Sequence, residues 1–224
     1  MTIESILEES LVLRLRDGLE RAASVLRTDA WSATGAHGLN PTQGQVLLHV
    51  AARMPAGCRV KEIAAQLVIT QPTATDSIAA LERKGLVERL ADPDDARATR
   101  VRLTPAGAER AEALRLAPAL LGTALSGLSA GDRTDLLRLV TKLIRQLQIA
   151  GAIPIQRMCV SCRHFRPHIH DDAENPHHCA FVDAAFGDRD LRLDCSDHET
   201  ADPAARSANW TAFEKGSASL QAPI

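Results

Sequence analysis

Four cysteines crowd the last third of the chain: Cys159 and Cys162 in Cys159-Val160-Ser161-Cys162, then Cys179, then Cys195. Two residues separate the first pair, sixteen separate Cys162 from Cys179, and fifteen separate Cys179 from Cys195. The C-x2-C spacing is that of a metal knuckle, since a tight turn aims both thiolates at one point. Zinc takes four soft or borderline ligands in a tetrahedron, and Cys159, Cys162, Cys179 and Cys195 are the simplest set. His164, His178 and His198 stand by as substitutes or as second donors. Four cysteines also suit an iron–sulfur cluster. Zinc is placed ahead because it is the commoner structural ion and because its sites interleave Cys with His. The bland alternative is a set of reduced thiols in a weakly ordered tail. Against it, the 70 residues from 155 to 224 hold four of the five cysteines and little apolar patterning, so they need a staple to fold. Cys58, alone before the first of two short helix patterns, reads as a small apolar filler.

The elements that must carry these groups follow from periodicity. The chain has 224 residues, 45% of them hydrophobic but only 3% aromatic, so its core is built mainly from Leu, Val, Ile and Ala. The net charge of −2 argues against a generic nucleic-acid coat. Residues 40–102 carry nine Lys and Arg against seven Asp and Glu, a local +2, whereas residues 151–224 carry −4. The first residues lack a signal-peptide pattern and no apolar run approaches the ~20 residues of a membrane span. A cytoplasmic protein is expected, where clustered cysteines favour metal over disulfide.

Ile6, Leu7, Leu11, Leu15, Leu19, Ala22 and Leu26 keep helical spacing over residues 4–27. Asn40-Pro41-Thr42-Gln43 is a helix start of capping-box type. A short helix follows with Ile63, Ala64 and Leu67 on one face. Thr70 and Gln71 before Pro72 open another, with Ala74, Ile78 and Leu81 inward, which closes at Lys84-Gly85. Leu86–Leu90 and Ala98–Leu103 read as strands joined by the turn residues from Ala91 to Ala96. Thr104-Pro105 starts a helix running to about Leu128, kinked at Pro118. Ser129–Gln148 is a last amphipathic helix, and Gly151 to Pro154 punctuates the chain.

Two short helices, a tight turn and a following hairpin form a winged helix-turn-helix. Lys84-Gly85-Leu86-Val87-Glu88-Arg89, Asp92-Pro93, Asp95-x-Arg97 and Val101-x-Leu103-Thr104-Pro105-x-Gly107 together resemble the MarR (multiple antibiotic resistance regulator) family of transcriptional regulators. The resemblance covers about two thirds of the chain. It implies a homodimer held by the first and last main helices, acting on a pseudo-palindromic site in double-stranded DNA. It also implies that Gln71, Thr73, Thr75 and Asp76 face the major groove, that Arg97 at the wing tip enters the minor groove, and that Arg100 approaches phosphates. Asp76 departs from the arginine common there in the family, so no operator is borrowed from a relative.

The expected fold is mainly α. Residues 1–150 form the winged-helix DNA-binding and dimerisation domain, and residues 155–200 a small metal-stapled module. Residues 201–224 are a tail of little periodicity, mobile at its end, in which Trp210 and Phe213 are fit to dock on the folded body. The expected protein is a DNA-binding regulator and not an enzyme, since no nucleophile–base–orienter set or phosphate loop is present. Two other readings stay open: a metal- or redox-responsive sensor, and an interaction adaptor that keeps the winged helix without DNA. A small-molecule effector is also left open.

Overall fold

The computed structural model describes residues 3–93 and 95–219, with the side chains among them except those of 3–8, 96 and 217–219. The chain divides into two compact units, residues 1–127 and 128–224. The sequence puts its boundary at residues 150–155. The compact units part before the last amphipathic helix because its inner face packs with the residues that follow.

The first unit opens with α1 (Ile3–Gly35) and α2 (Pro41–Ala51). Asn40 caps α2 by accepting from the Gln43 N–H, and Gln43 reaches back to complete the expected capping box. Next come β1 (Cys58–Arg59), α3 (Val60–Gln66) and α4 (Gln71–Arg83). A hairpin follows, β2 (Val87–Asp92) and β3 (Asp95–Leu103). The sheet order is β1-β3-β2, antiparallel, with Cys58 opposite Val101. Cys58 is therefore a buried strand residue. Its strand is too short to show a period in the sequence. Ile63, Ile78, Leu81, Val87 and Val101 meet Val46, Leu47 and Val50 of α2 in one core.

Gly85, at φ +68°, ends α4: its N–H donates to Glu82 and that of Leu86 to Leu81, the double bond of a Schellman cap. Thr104 then locks the hairpin to the next helix. Its hydroxyl donates to the Gly85 carbonyl at 2.6 Å and accepts from the Gly107 N–H at 3.0 Å. At Gly107 a Cβ would lie 1.8 Å from the Leu86 carbonyl oxygen, so only glycine fits this approach. Lys84 donates to the Gly38 carbonyl and to Gln43, tying the end of α4 to the start of α2.

The helix expected from Thr104 to Leu128 is two helices, α5 (Pro105–Arg115) and α6 (Leu120–Ser126). Pro118 breaks it outright: proline disfavours helical backbone in the residue before it and offers no N–H. The freed amides of Leu120 and Leu121 are taken by the two carboxylate oxygens of Asp29, each at 3.0 Å, which stabilises the restart.

The second unit begins with α7 (Ala130–Ile149), capped by Ser129 as expected. A 3-10 turn (Cys159–Ser161) leads to β4 (Phe165–Arg166), β5 (His177–Cys179) and β6 (Ala184–Phe186), an antiparallel sheet in chain order. A second 3-10 turn (Asp188–Asp190) and α8 (Pro203–Ser219) complete it. The expected tail is thus largely helical. Asp202 accepts from the Ala205 N–H and Pro203 occupies the first turn, the same cap-and-proline device seen at α2 and α5. The expectation of mobility falls on residues 220–224, outside the described residues.

Trp210 and Phe213 of α8 dock as expected, against Met158, Val160, Phe165 and Leu191, with Leu137 and Ile144 of α7 packed alongside. The module therefore has an aromatic core of its own, which the scattered spacing of its apolar residues conceals. Among the described residues, no helix is long and apolar enough to cross a membrane.

Candidate nucleic-acid interface and a cysteine-lined cavity

Helix α4 has two faces. Ala74, Ser77, Ile78 and Leu81 are buried, while Gln71, Pro72, Thr73, Thr75 and Asp76 are exposed along its N-terminal half. Thr70 caps the helix from the Thr73 N–H, and its hydroxyl lies 2.7 Å from that of Thr73. The Thr75 hydroxyl donates to the Gln71 carbonyl at 2.9 Å. The threonine side chains are thus held in fixed rotamers and keep lone pairs outward. The preceding turn passes through Val68 at φ +54°, a region that a β-branched residue adopts only at a cost.

The hairpin carries Arg97, exposed, with its backbone N–H bonded to Asp95. Arg100, expected to approach phosphates, is half-buried and paired within the hairpin. Its Nε donates to the buried carboxylate of Asp92 at 2.9 Å, and Arg59 donates to the same oxygen at 2.6 Å. The Asp92 side chain has no exposed surface, so two guanidinium groups are what make its charge tolerable. The neighbouring carboxylate also raises the Arg59 pKa, mainly through that hydrogen bond. This clamp joins the hairpin to the start of α3. The sequence reads Asp92 as turn chemistry and, with Pro93, as part of the family resemblance; its pairing with two arginines shows only in the structure, beside a bulge after Ala91.

In the second unit, Cys159, Cys162, Cys179 and Cys195 line one cavity of about 240 Å³. Backbone bonds bring these distant residues together. The Cys159 N–H donates to the Arg192 carbonyl at 3.0 Å, and the Arg192 N–H donates to the Cys159 sulfur at 3.3 Å. The Cys195 N–H donates to the Arg157 carbonyl, and Cys179 pairs with Phe165 across the sheet. The Arg192 guanidinium lies 3.8 Å from the Cys195 sulfur. Burial pushes the Cys159 thiol up to about 11, opposed by the Arg192 N–H and reinforced by Cys195, Cys162 and Cys179. Among the described residues, no three Cys, His, Asp or Glu side chains are arranged to hold a metal ion. The four sulfurs share a cavity without converging on one ion.

The three candidate substitute histidines have other partners. His164 borders the cavity but bonds Glu199 at 3.1 Å. His178 faces His170 and Asp183, and His198 lies 2.9 Å from the Ser161 hydroxyl. His177, fully buried, is a structural residue. Its Nδ1 accepts from the His168 N–H, so the proton sits on Nε2 and is donated to Asp188 at 2.8 Å. Asp188 in turn faces Arg138 of α7. Burial raises the Asp188 pKa, but His177 and Arg138 outweigh it and hold the carboxyl below its ordinary value.

Residues 37–98, from the turn before α2 into β3, match the MarR family model. The chain is similar to Staphylococcus aureus MepR solved in complex with DNA, with 26% identity, a TM-score of 0.52, and coverage of 58% of this chain and 95% of that one. It also shares the fold of a solved MarR family transcription regulator at 21% identity and a TM-score of 0.55, covering 66% of this chain and 97% of the other. No curated protein matches it.

Proposed function

We propose that this chain is a winged-helix transcription regulator of the MarR kind, to which it is similar, and that it binds double-stranded DNA as a homodimer on a pseudo-palindromic site. The observation that carries the DNA reading is the exposed N-terminal half of α4 together with an exposed wing-tip arginine. A helix presented this way enters the major groove by its first turns. Gln71 can pair with adenine, and Thr73 and Thr75 meet phosphate or a thymine methyl. Asp76 accepts from a cytosine amino group and repels other bases. Arg97 follows the wing into a narrow minor groove. Arg100 acts at one remove, by holding the hairpin that presents Arg97. MepR, the similar protein of known structure, was solved with DNA.

The dimer reading rests on apolar stripes left open on two helices. On α1, Leu11, Leu15, Leu19 and Leu26 are exposed; on α7, so are Leu136, Leu139, Leu143 and Leu147. The α7 stripe lies away from Leu137, Thr141 and Ile144, which are used inside the second unit. Such runs at helical spacing are the surface that a second copy covers.

Selection of duplexes from a random pool by the purified protein tests this reading. The expected result is enrichment of two-fold-related half-sites, about one helical turn apart, with two protomers per duplex. Enrichment of no duplex, or of a single half-site by a monomer, contradicts it.

A further inference from the structure

The four-thiol cavity does not serve the DNA reading, and it is roomier than is required by the single ion that the cysteine spacing first suggests. A four-thiolate zinc site closes its sulfurs about 2.3 Å around the ion and leaves no space between them. Here Cys159, Cys162, Cys179 and Cys195 share with neighbouring residues the lining of a partly open cavity of about 240 Å³. A single water needs only ~10–15 Å³ of such space, so the cavity exceeds the need of one ion or one water by an order of magnitude. No tetrahedral set is already formed among the described residues.

We propose that this cavity binds an iron–sulfur cluster through Cys159, Cys162, Cys179 and Cys195. Four cysteines are the full ligand set of such a cluster, one thiolate on each outward iron position of a cubane or two on each iron of a two-iron rhomb. Each thiol loses its proton to solvent as its sulfur bonds iron, and the iron arrives already at the oxidation level of the cluster, as ferric or mixed ferrous and ferric ions with sulfide or as a preformed cluster. No electron transfer to or from the protein is needed for binding.

The surroundings suit the group. Ligated clusters carry net negative charge, and the Arg192 guanidinium stands 3.8 Å from the Cys195 sulfur. The Arg192 backbone N–H donates to the Cys159 sulfur, the kind of hydrogen bond that sets cluster potential. Phe165 and Phe186 supply an apolar inner wall, with the exposed Phe181 and Val182 at the rim. Three short segments feed the ligands: a turn for Cys159 and Cys162, strand β5 for Cys179, and the loop after Leu193 for Cys195. Backbone bonds to Arg157, Arg192 and across the sheet bring them to the same cavity.

The full chain, purified without oxygen and loaded with ferrous and ferric iron and sulfide, is assayed for iron, acid-labile sulfide and zinc, with a visible absorption spectrum. The expected result is a brown protein with iron and sulfide in equal amounts, about two or about four of each per chain, and loss of both in Cys179→Ser while Cys58→Ser retains them. Alkylation followed by mass spectrometry keeps the test sharp if Cys179→Ser does not fold. In the loaded wild type the four cavity cysteines should be protected, and chelation of iron should expose them. A colourless protein with one zinc per chain overturns the proposal. So do the absence of bound iron and sulfide after loading, and alkylation of the four cysteines at the same rate with and without iron.

Discussion

At the residue scale, the wing depends on Asp92. Its carboxylate is fully buried and accepts from Arg59 and Arg100. Asp92→Ala removes the buried carboxylate that both guanidinium groups share, while Arg59 keeps Asp95 at 3.7 Å. Because each keeps some contact with solvent, the loss should fall below that of a fully buried pair, about 1–3 kcal/mol of unfolding free energy by denaturant titration. Gly107 makes a second test. A methyl group there meets the Leu86 carbonyl, so Gly107→Ala should cost about 1–3 kcal/mol or more in the same assay. Both residues stand in the motifs that carry the family resemblance. Gly107 can be seen from its neighbours, since Thr104-Pro105 marks a helix start. The Asp92 role cannot, because Arg59 lies 33 positions away in the chain and no periodicity links them.

At the scale of elements, local signals were legible and long-range ones were not. The caps at Asn40, Thr70, Thr104 and Ser129 are where the sequence puts them, since a cap needs only a side chain and the next three amides. The break at Pro118 reads as a kink from sequence alone, because the partner that stabilises a fresh helix start is Asp29, on another helix. Helix α8 was missed although Asp202-Pro203 is a start signal, since only Trp210 and Phe213 mark its inner face. The pair of thiols in a knuckle was legible too, but the width of the cavity behind them is set by backbone bonds among Arg157, Arg192 and the sheet. The turn between α3 and α4 yields a prediction at this scale. Val68 is exposed and sits at positive φ. The left-handed conformation costs about 1–2 kcal/mol, and glycine returns about 0.5–1 kcal/mol in chain entropy. Val68→Gly should therefore raise the melting temperature by a few degrees and leave the exposed face of α4 unchanged.

At the scale of the whole molecule, the chain joins a winged helix to a cysteine-lined module that has its own core. Each unit leaves one long helix with an open leucine stripe, α1 in the first and α7 in the second. Replacing Leu139 and Leu143 together by Glu should shift sedimentation from dimer toward monomer at micromolar concentration while circular dichroism stays the same, because neither side chain belongs to the core of its own unit. The central claim is that the exposed face of α4 and the wing bind duplex DNA, and the most direct measurement is affinity for a selected duplex as a function of salt, for wild type and Arg97→Ala. The account predicts that the logarithm of affinity falls linearly with the logarithm of salt concentration. It also predicts that Arg97→Ala binds about tenfold more weakly, with a slope smaller by about one. Affinity independent of salt, or identical curves for the two proteins, would contradict it.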